Sequence, residues 1–397
     1  MPASGPPSGS GSEALSGAPR FVHRSSRALA YPRFGGAGTR LRARGVHVAA
    51  LLAALLAAGC GDGGAGPDDG PDLDGLFALP TAAELAAVRA DWAGRDPVPV
   101  DVRVESTQTI TLGGAPATLR VLSHRVAGGR HYGAVITADG AAPRSLPVLV
   151  YLHGGDDGVG VNDLLLLSLA LGDAVRGFTW MLPSFRGEAL VTPGATYRSG
   201  GEPSPWDRDV DDAIALLGAA LATAPAADPT RVGALGFSRG GGVALLMGIR
   251  DERVDRVIDF FGPTDFLGPY IREVVEQALD GDLRPLPGLD VLDERFIQPF
   301  GAGALPLAQA RLELVRRSAV LFAAELPTLQ IHHGMADAVV EVSQAESLIA
   351  ALQGLGRGAP GTADEWFLYA GAGHDPLAMA GSVAHTTRFL AALVGQN

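Results

Sequence analysis

"LGFSRGG", residues 235–241, is the stretch that decides the fold. Ser238 stands between Gly236 and Gly240, and Gly241 follows. With 54 glycines in 397 residues, such spacing arises readily by chance, so its flanks must settle the reading. Before it, "RVGALG" is a short apolar run of the kind that forms a buried strand. After it, "GGGVALLMGI" carries a helical pattern. A strand turning sharply into a helix around G-x-S-x-G is the setting of a nucleophile elbow. The tight turn brings backbones together, so small residues are needed on both sides, and the hydroxyl projects over the sheet edge. The backbone N–H of Arg239 points at the same spot, aided by the helix N-terminus. The competing reading is a glycine turn with an incidental serine.

Outward from the elbow, short unbroken apolar runs alternate with helical segments. Strands are expected at 148–152, 178–182, 232–235, 257–261, 328–332 and 366–369. Helices are expected at 163–176, 207–222, 240–249, 343–355 and 376–394. Apolar runs without alternation are buried on both faces, and their alternation with helices predicts a mostly parallel sheet flanked by helices. Residues 98–138 instead alternate and are broken by glycines, which predicts an antiparallel lead-in. A helix is expected before it, with Thr81 as N-cap and Glu84 completing a capping box. Residues 266–326 read as a mixed helical insertion over the strand ends, a lid or pocket element.

A serine nucleophile needs a base, and the base an orienting acid. "LQIHHGMADAVV" puts Asp337 in a loop after one strand, and "WFLYAGAGHDP" puts His374 in a glycine loop after the last, giving the order Ser, Asp, His. Asp375 and Pro376 suit an N-cap and N1 pair. Asp265, in "FFGPTD", is the rival acid. His332, His333 and His385 read as structural. In "VLVYLHGGDDG", Gly154 and Gly155 leave backbone N–H groups free to face an oxyanion, with His153 a structural or polarising neighbour. Asp156 and Asp157 form either an acidic subsite or a solvated turn. Arg186 either orders a loop or meets substrate. No HExxH, paired Cys/His spacing, EF-hand loop or dinucleotide fingerprint is present, so no metal or cofactor is expected.

The chain is acidic, with net charge −12, and its 31 basic residues are all arginine. Seven of those arginines precede Cys60, so the acidic excess lies after it and nucleic-acid binding is not expected. One cysteine excludes an internal disulfide. Arg40, Arg42 and Arg44 precede a short apolar run, and small residues lead into Cys60. The run is too short to span a bilayer comfortably and has the layout of a secretory signal. The ending "LAAGC" resembles a bacterial lipoprotein signal with Cys60 lipidated, although Ala57 stands where a large aliphatic residue is usual. On this reading residues 1–40 are disordered or precede the true start, 41–59 are the signal, 60–75 a flexible acidic linker, and 76–397 the domain. Export and a membrane anchor through Cys60 follow as expectations.

Taken together, "LHGG", "LPSFRGE", "DRDVDDAIALL", "GFSRGGG", "FGPTD", "HHGMADAVVEVSQAESL" and "AGAGHDP" resemble the α/β-hydrolase superfamily, and more narrowly the catalytic domain of the prolyl oligopeptidase family. The resemblance runs from about Pro147 to the C-terminus. Too few residues precede it for a β-propeller, and Asp156 stands where many members have proline. It implies a serine hydrolase. Ser238, Asp337 and His374 would be the triad, with Arg239, Gly154 and Gly155 at the oxyanion. A small ester or short peptide would be the substrate, cleaved through an acyl-enzyme without a cofactor. A catalytically silent binding protein on the same fold and an acyltransferase are the alternatives.

Overall fold

In a computed structural model, residues 70–395 are described. The first forty residues, the signal-like run and Cys60 lie outside them. Helical order begins at Leu73–Leu76, just inside the stretch read as linker, where the Asp72 carboxylate accepts from Gly75 N–H. Helix α1 (Ala82–Ala93) starts with the expected box: Glu84 N–H donates to the Thr81 hydroxyl, and Thr81 N–H to the Glu84 carboxylate.

Among the described residues, nine strands build the central sheet. They are β1 (Val100–Leu112), β2 (Ala115–Val126), β3 (Gly129–Ala138), β4 (Leu146–Leu152), β5 (Thr179–Pro183), β6 (Ala227–Phe237), β7 (Val254–Phe260), β8 (Thr328–Gly334) and β9 (Glu365–Tyr369). Their order across the sheet is β1-β2-β3-β5-β4-β6-β7-β8-β9. The three pairings from β1 to β5 are antiparallel and the five from β5 to β9 are parallel. The alternating lead-in and the unbroken apolar runs match this division, although β3 is also buried on both faces from Gly133 to Ala138.

The main helices are α2 (Val161–Leu171), α3 (Arg208–Thr223), α4 (Arg239–Arg250), α5 (Pro269–Leu279), α6 (Leu307–Val315), α7 (Ser343–Gly354) and α8 (Ser382–Val394). One core packs α3, α4 and α7 against the sheet through Leu216, Val243, Leu246 and Leu348. The other packs α8 and α2 through Leu164, Leu390 and Leu393 against Leu149 and Leu235. The insertion between β7 and β8 is helical, comprising α5, α6 and short helical turns within Leu289–Gly301 and Ala319–Glu325. No helix among the described residues is long and apolar enough to cross a membrane.

Three local expectations are corrected. Residues 376–394 are not one helix. A turn at Pro376–Ala378 is separated from α8 by Gly381, whose φ of +85° interrupts helical geometry. The helix expected at 163–176 ends at Leu171, and Gly172–Gly177 continues as 3-10 helix after Gly172 at φ +55°. A small sheet of Val159–Gly160, Ala189–Thr192 and Ala195–Arg198 was not expected.

Candidate active site

Four loops meet at the carboxyl ends of the parallel strands: those after β4, β6, β8 and β9. Open α/β sheets bind ligands at this edge. Ser238 lies between β6 and α4 with φ +53° and ψ −121°, outside the helical and extended regions. Its N–H donates to Phe260 O of β7 at 2.8 Å, which ties the turn to the next strand. Glycine is obligatory at two of its neighbours. A Cβ on Gly236 would stand 2.0 Å from Gly240 O, and one on Gly240 would stand 2.1 Å from Leu152 O. Both contacts are with backbone, which cannot swing away. Arg239 opens α4, so its N–H has no intrahelical partner.

Gly154 follows β4 and passes close over the serine. A Cβ there would lie 3.1 Å from Ser238 Cβ and 3.0 Å from Phe237 O. Gly155 has φ +76°. The loop carrying both is fastened from below by a side chain that sequence reading left unassigned. The Arg239 guanidinium, 1% exposed, donates to Gly155 O at 3.2 Å, to Glu188 at 2.6 Å and to Asp209 at 2.9 Å, and lies over the Phe185 ring. The second oxygen of Glu188 is 3.2 Å from His153 Nε2, within ion-pairing distance but not aligned as a hydrogen bond. His153 Nδ1 sits 3.1 Å from Gly154 O.

His374 and Asp337 are brought together by backbone. Met335 N–H donates to Tyr369 O and Ala336 N–H to Ala372 O, both at 2.9 Å, so the loops after β8 and β9 are zipped to each other. His374 Nδ1 then lies 2.7 Å from Asp337 Oδ2. The other oxygen of Asp337 accepts from Val339 N–H at 2.9 Å and Val340 N–H at 3.0 Å. Burial alone would raise the Asp337 pKa. The His374 bond and the two N–H groups outweigh it and hold the carboxyl below its ordinary value. The His374 ring packs on Phe261, with centroids 4.2 Å apart.

The rivals are hydrogen-bonded elsewhere, although His333 Nε2 also lies 3.6 Å from Asp337 Oδ2. Asp265 accepts from the Ser347 hydroxyl and from Leu267 N–H. His332 is buried between Gln330 and the Tyr369 hydroxyl. His333 is buried with Nε2 on Val340 O, and His385 stacks on Phe367. Arg186 is held bidentately by Asp212. Asp156 accepts from Gly288 N–H of the insertion at 3.2 Å, and Asp157 is exposed.

Two cavities open at Ser238. A groove of about 800 Å3 is lined by Gly154, Gly155, Phe237, Ser238 and His374 among others. A smaller cavity of about 60 Å3 runs under the insertion, lined by Ser238, Arg239, Trp206, Phe266, Leu289 and Phe296 among others.

No family model matches the sequence, and no curated protein matches it by sequence. Solved structures do resemble it. An acetyl xylan esterase from Thermoanaerobacterium sp. JW/SL YS485 superposes over 81% of this chain and 93% of its own, with TM-score 0.51 and 19% identity. One from Paenibacillus sp. R4 superposes over 81% and 99%, with TM-score 0.52 and 18% identity. A puromycin hydrolase covers 76% of this chain and 40% of its own, with TM-score 0.47 and 16% identity. The chain shares its fold with these two acetyl xylan esterases. At these identities the likeness concerns fold.

Proposed function

We propose that this chain is a serine hydrolase of carboxylic esters or short peptides. The observation that carries the reading is the His374–Asp337 pair at 2.7 Å, with His374 lining the same groove as Ser238 on its strained turn. The esterase fold of the structural neighbours supports it. His374 Nδ1–H donates to Asp337, which leaves the Nε2 lone pair to take the Ser238 proton. Ser238 Oγ bonds to the acyl carbon, and the carbonyl electrons move onto oxygen. The N–H groups of Arg239 and the Gly154–Gly155 loop receive that oxyanion. As the intermediate collapses, the bond to the leaving group breaks and Nε2–H protonates it. Water, deprotonated by His374, then attacks the acyl-enzyme. The acid leaves, and the Ser238 proton is restored. The insertion serves as a lid over the acyl end of the site.

A fluorophosphonate probe tests the nucleophile. It should label the wild type and not Ser238→Ala, and p-nitrophenyl acetate hydrolysis should vanish with the label. Equal labelling or equal turnover in both proteins would overturn the assignment. We further propose export and a lipid anchor on Cys60. A palmitate analogue should label cells expressing the wild type but not Cys60→Ser, and an unlabelled wild type refutes the anchor.

A further inference from the structure

The two cavities have three residues in common: Ser238, Pro287 and Val339. They therefore meet at the reacting serine, one on each side of it. Their contents differ. Only the groove contains His374, the group that must reach the leaving atom in the proposed reaction, so the leaving group lies in the groove. The acyl substituent is left with the cavity beneath the insertion. On the scale where one water occupies about 10–15 Å3, about 60 Å3 admits roughly four to six non-hydrogen atoms. Its walls are aromatic and aliphatic. The one cation lining it among the described residues, Arg239, is already paired with Asp209 and Glu188, and the Tyr270 hydroxyl donates to Val339 O.

The groove is large and mostly apolar. Among the described residues, no arginine lines it to meet a carboxylate. Beyond Ser238 and His374, three of its polar side chains have partners within the protein, although only one of the two Asp163 carboxylate oxygens does among the described residues. Asp163 accepts from Gly160 N–H, Ser382 donates to Pro376 O at 3.3 Å, and Thr386 lies 3.5 Å from His332. The fourth is Tyr151. A sugar or a peptide backbone would bury hydroxyl or amide groups here with few partners, which costs binding energy. The rim continues the same character outward: Leu169 is 81% exposed, Leu377 85% and Val383 38%. Such side chains beside a groove of this size form an apolar entrance.

We infer that the substrate is an ester of a short acyl group, about two to five carbons, with a large hydrophobic alcohol. The acyl tail sits under the insertion and the alcohol in the groove between Leu167, Leu377 and Val383. This inference rests on the hydrolase reading above and narrows it to one substrate class.

Two substrate series test it with the full chain in mild detergent. In p-nitrophenyl esters, kcat/KM should peak between acetate and pentanoate and fall at least ten-fold by octanoate. Among acetates, decyl acetate should exceed both methyl acetate and peracetylated methyl xyloside at least ten-fold, read as acetic acid released. In Leu169→Glu and Leu377→Glu, both at exposed positions that should not disturb folding, the decyl-to-methyl ratio should drop at least five-fold. A preference for octanoyl or longer acyl groups, an equal or better rate on the xyloside, or an unchanged ratio in both variants overturns the inference while leaving the hydrolase reading intact. Failure to hydrolyse any ester, with no fluorophosphonate label on Ser238, overturns both.

Discussion

At the scale of single residues, Gly240 exposes how little tolerance surrounds Ser238. Its missing Cβ is the space occupied by Leu152 O, so Gly240→Ala forces β4 and α4 apart. Overpacking of this kind costs about 1–3 kcal/mol, visible as a lower urea midpoint, and the displaced elbow should lose fluorophosphonate labelling. A variant as stable and as reactive as the wild type would show that the turn does not need glycine there. Asp337→Asn keeps the volume but reverses the hydrogen-bond requirement on His374. In the proposed mechanism kcat should fall by roughly 10^3- to 10^4-fold with KM little changed. An undiminished kcat would remove Asp337 from the mechanism. The places of Ser238, Asp337 and His374 at the strand ends were readable because each lies in the loop that follows an apolar run. The side chain of Arg239 was not. As a surface-type residue in a glycine turn, it gave no sign that its guanidinium would lie buried beneath the Gly154–Gly155 loop. Glu188, in "FRGE", was equally silent, because its partners come from elements distant in sequence.

At the scale of elements, α3 does more than cover a sheet face. Its first turns and N-cap bury Asp207, Asp209, Asp211 and Asp212. Each meets an arginine: Asp207 meets Arg95, Asp209 meets Arg239, Asp211 meets Arg250 and Asp212 meets Arg186. Acids in a first turn ordinarily complement the helix dipole from solvent. Here that placement is combined with burial, which only tertiary packing could reveal. Arg239→Met should therefore be costly. It leaves Asp209 and Glu188 buried without their cation, a loss of about 3–5 kcal/mol by urea denaturation. It should also free the Gly155 carbonyl and raise KM for esters as well as lowering kcat. A loss below 1 kcal/mol would mean the network is not what fastens that loop. Strand and helix existence was legible wherever an apolar run was long. The sheet of Val159–Gly160, Ala189–Thr192 and Ala195–Arg198 escaped because strands of two to four residues carry too short a period to read.

At the scale of the whole molecule, pH acts through groups the reaction does not use. Asp259 is wholly buried on β7, accepting only from Gly262 N–H on one oxygen. Burial pushes its pKa up to about 7, with that N–H opposing. A carboxyl raised in the folded state favours folding most below its unfolded value near 4, and that contribution is lost as pH rises toward 7. Asp259→Asn keeps an acceptor and removes the titration. Relative to the wild type it should gain about 2–3 kcal/mol between pH 5 and pH 8, and a pH-independent difference would place the proton elsewhere. A different limit applies in alkali, and it follows from what α3 is paired with. Burial alone would loosen the protons of these arginines; the facing carboxylates more than offset this at Arg95, Arg186 and Arg239, whose pKa values are raised, but only in part at Arg250, whose pKa stays lowered. With no lysine in the sequence, Arg95, Arg186 and Arg239 hold their charge where a lysine would surrender it. Base must therefore attack through the phenols. Burial raises Tyr151, Tyr270 and Tyr369, so the unfolded chain ionises first and stability declines only above about pH 10. The charged interior of this protein is built to outlast its own tyrosines.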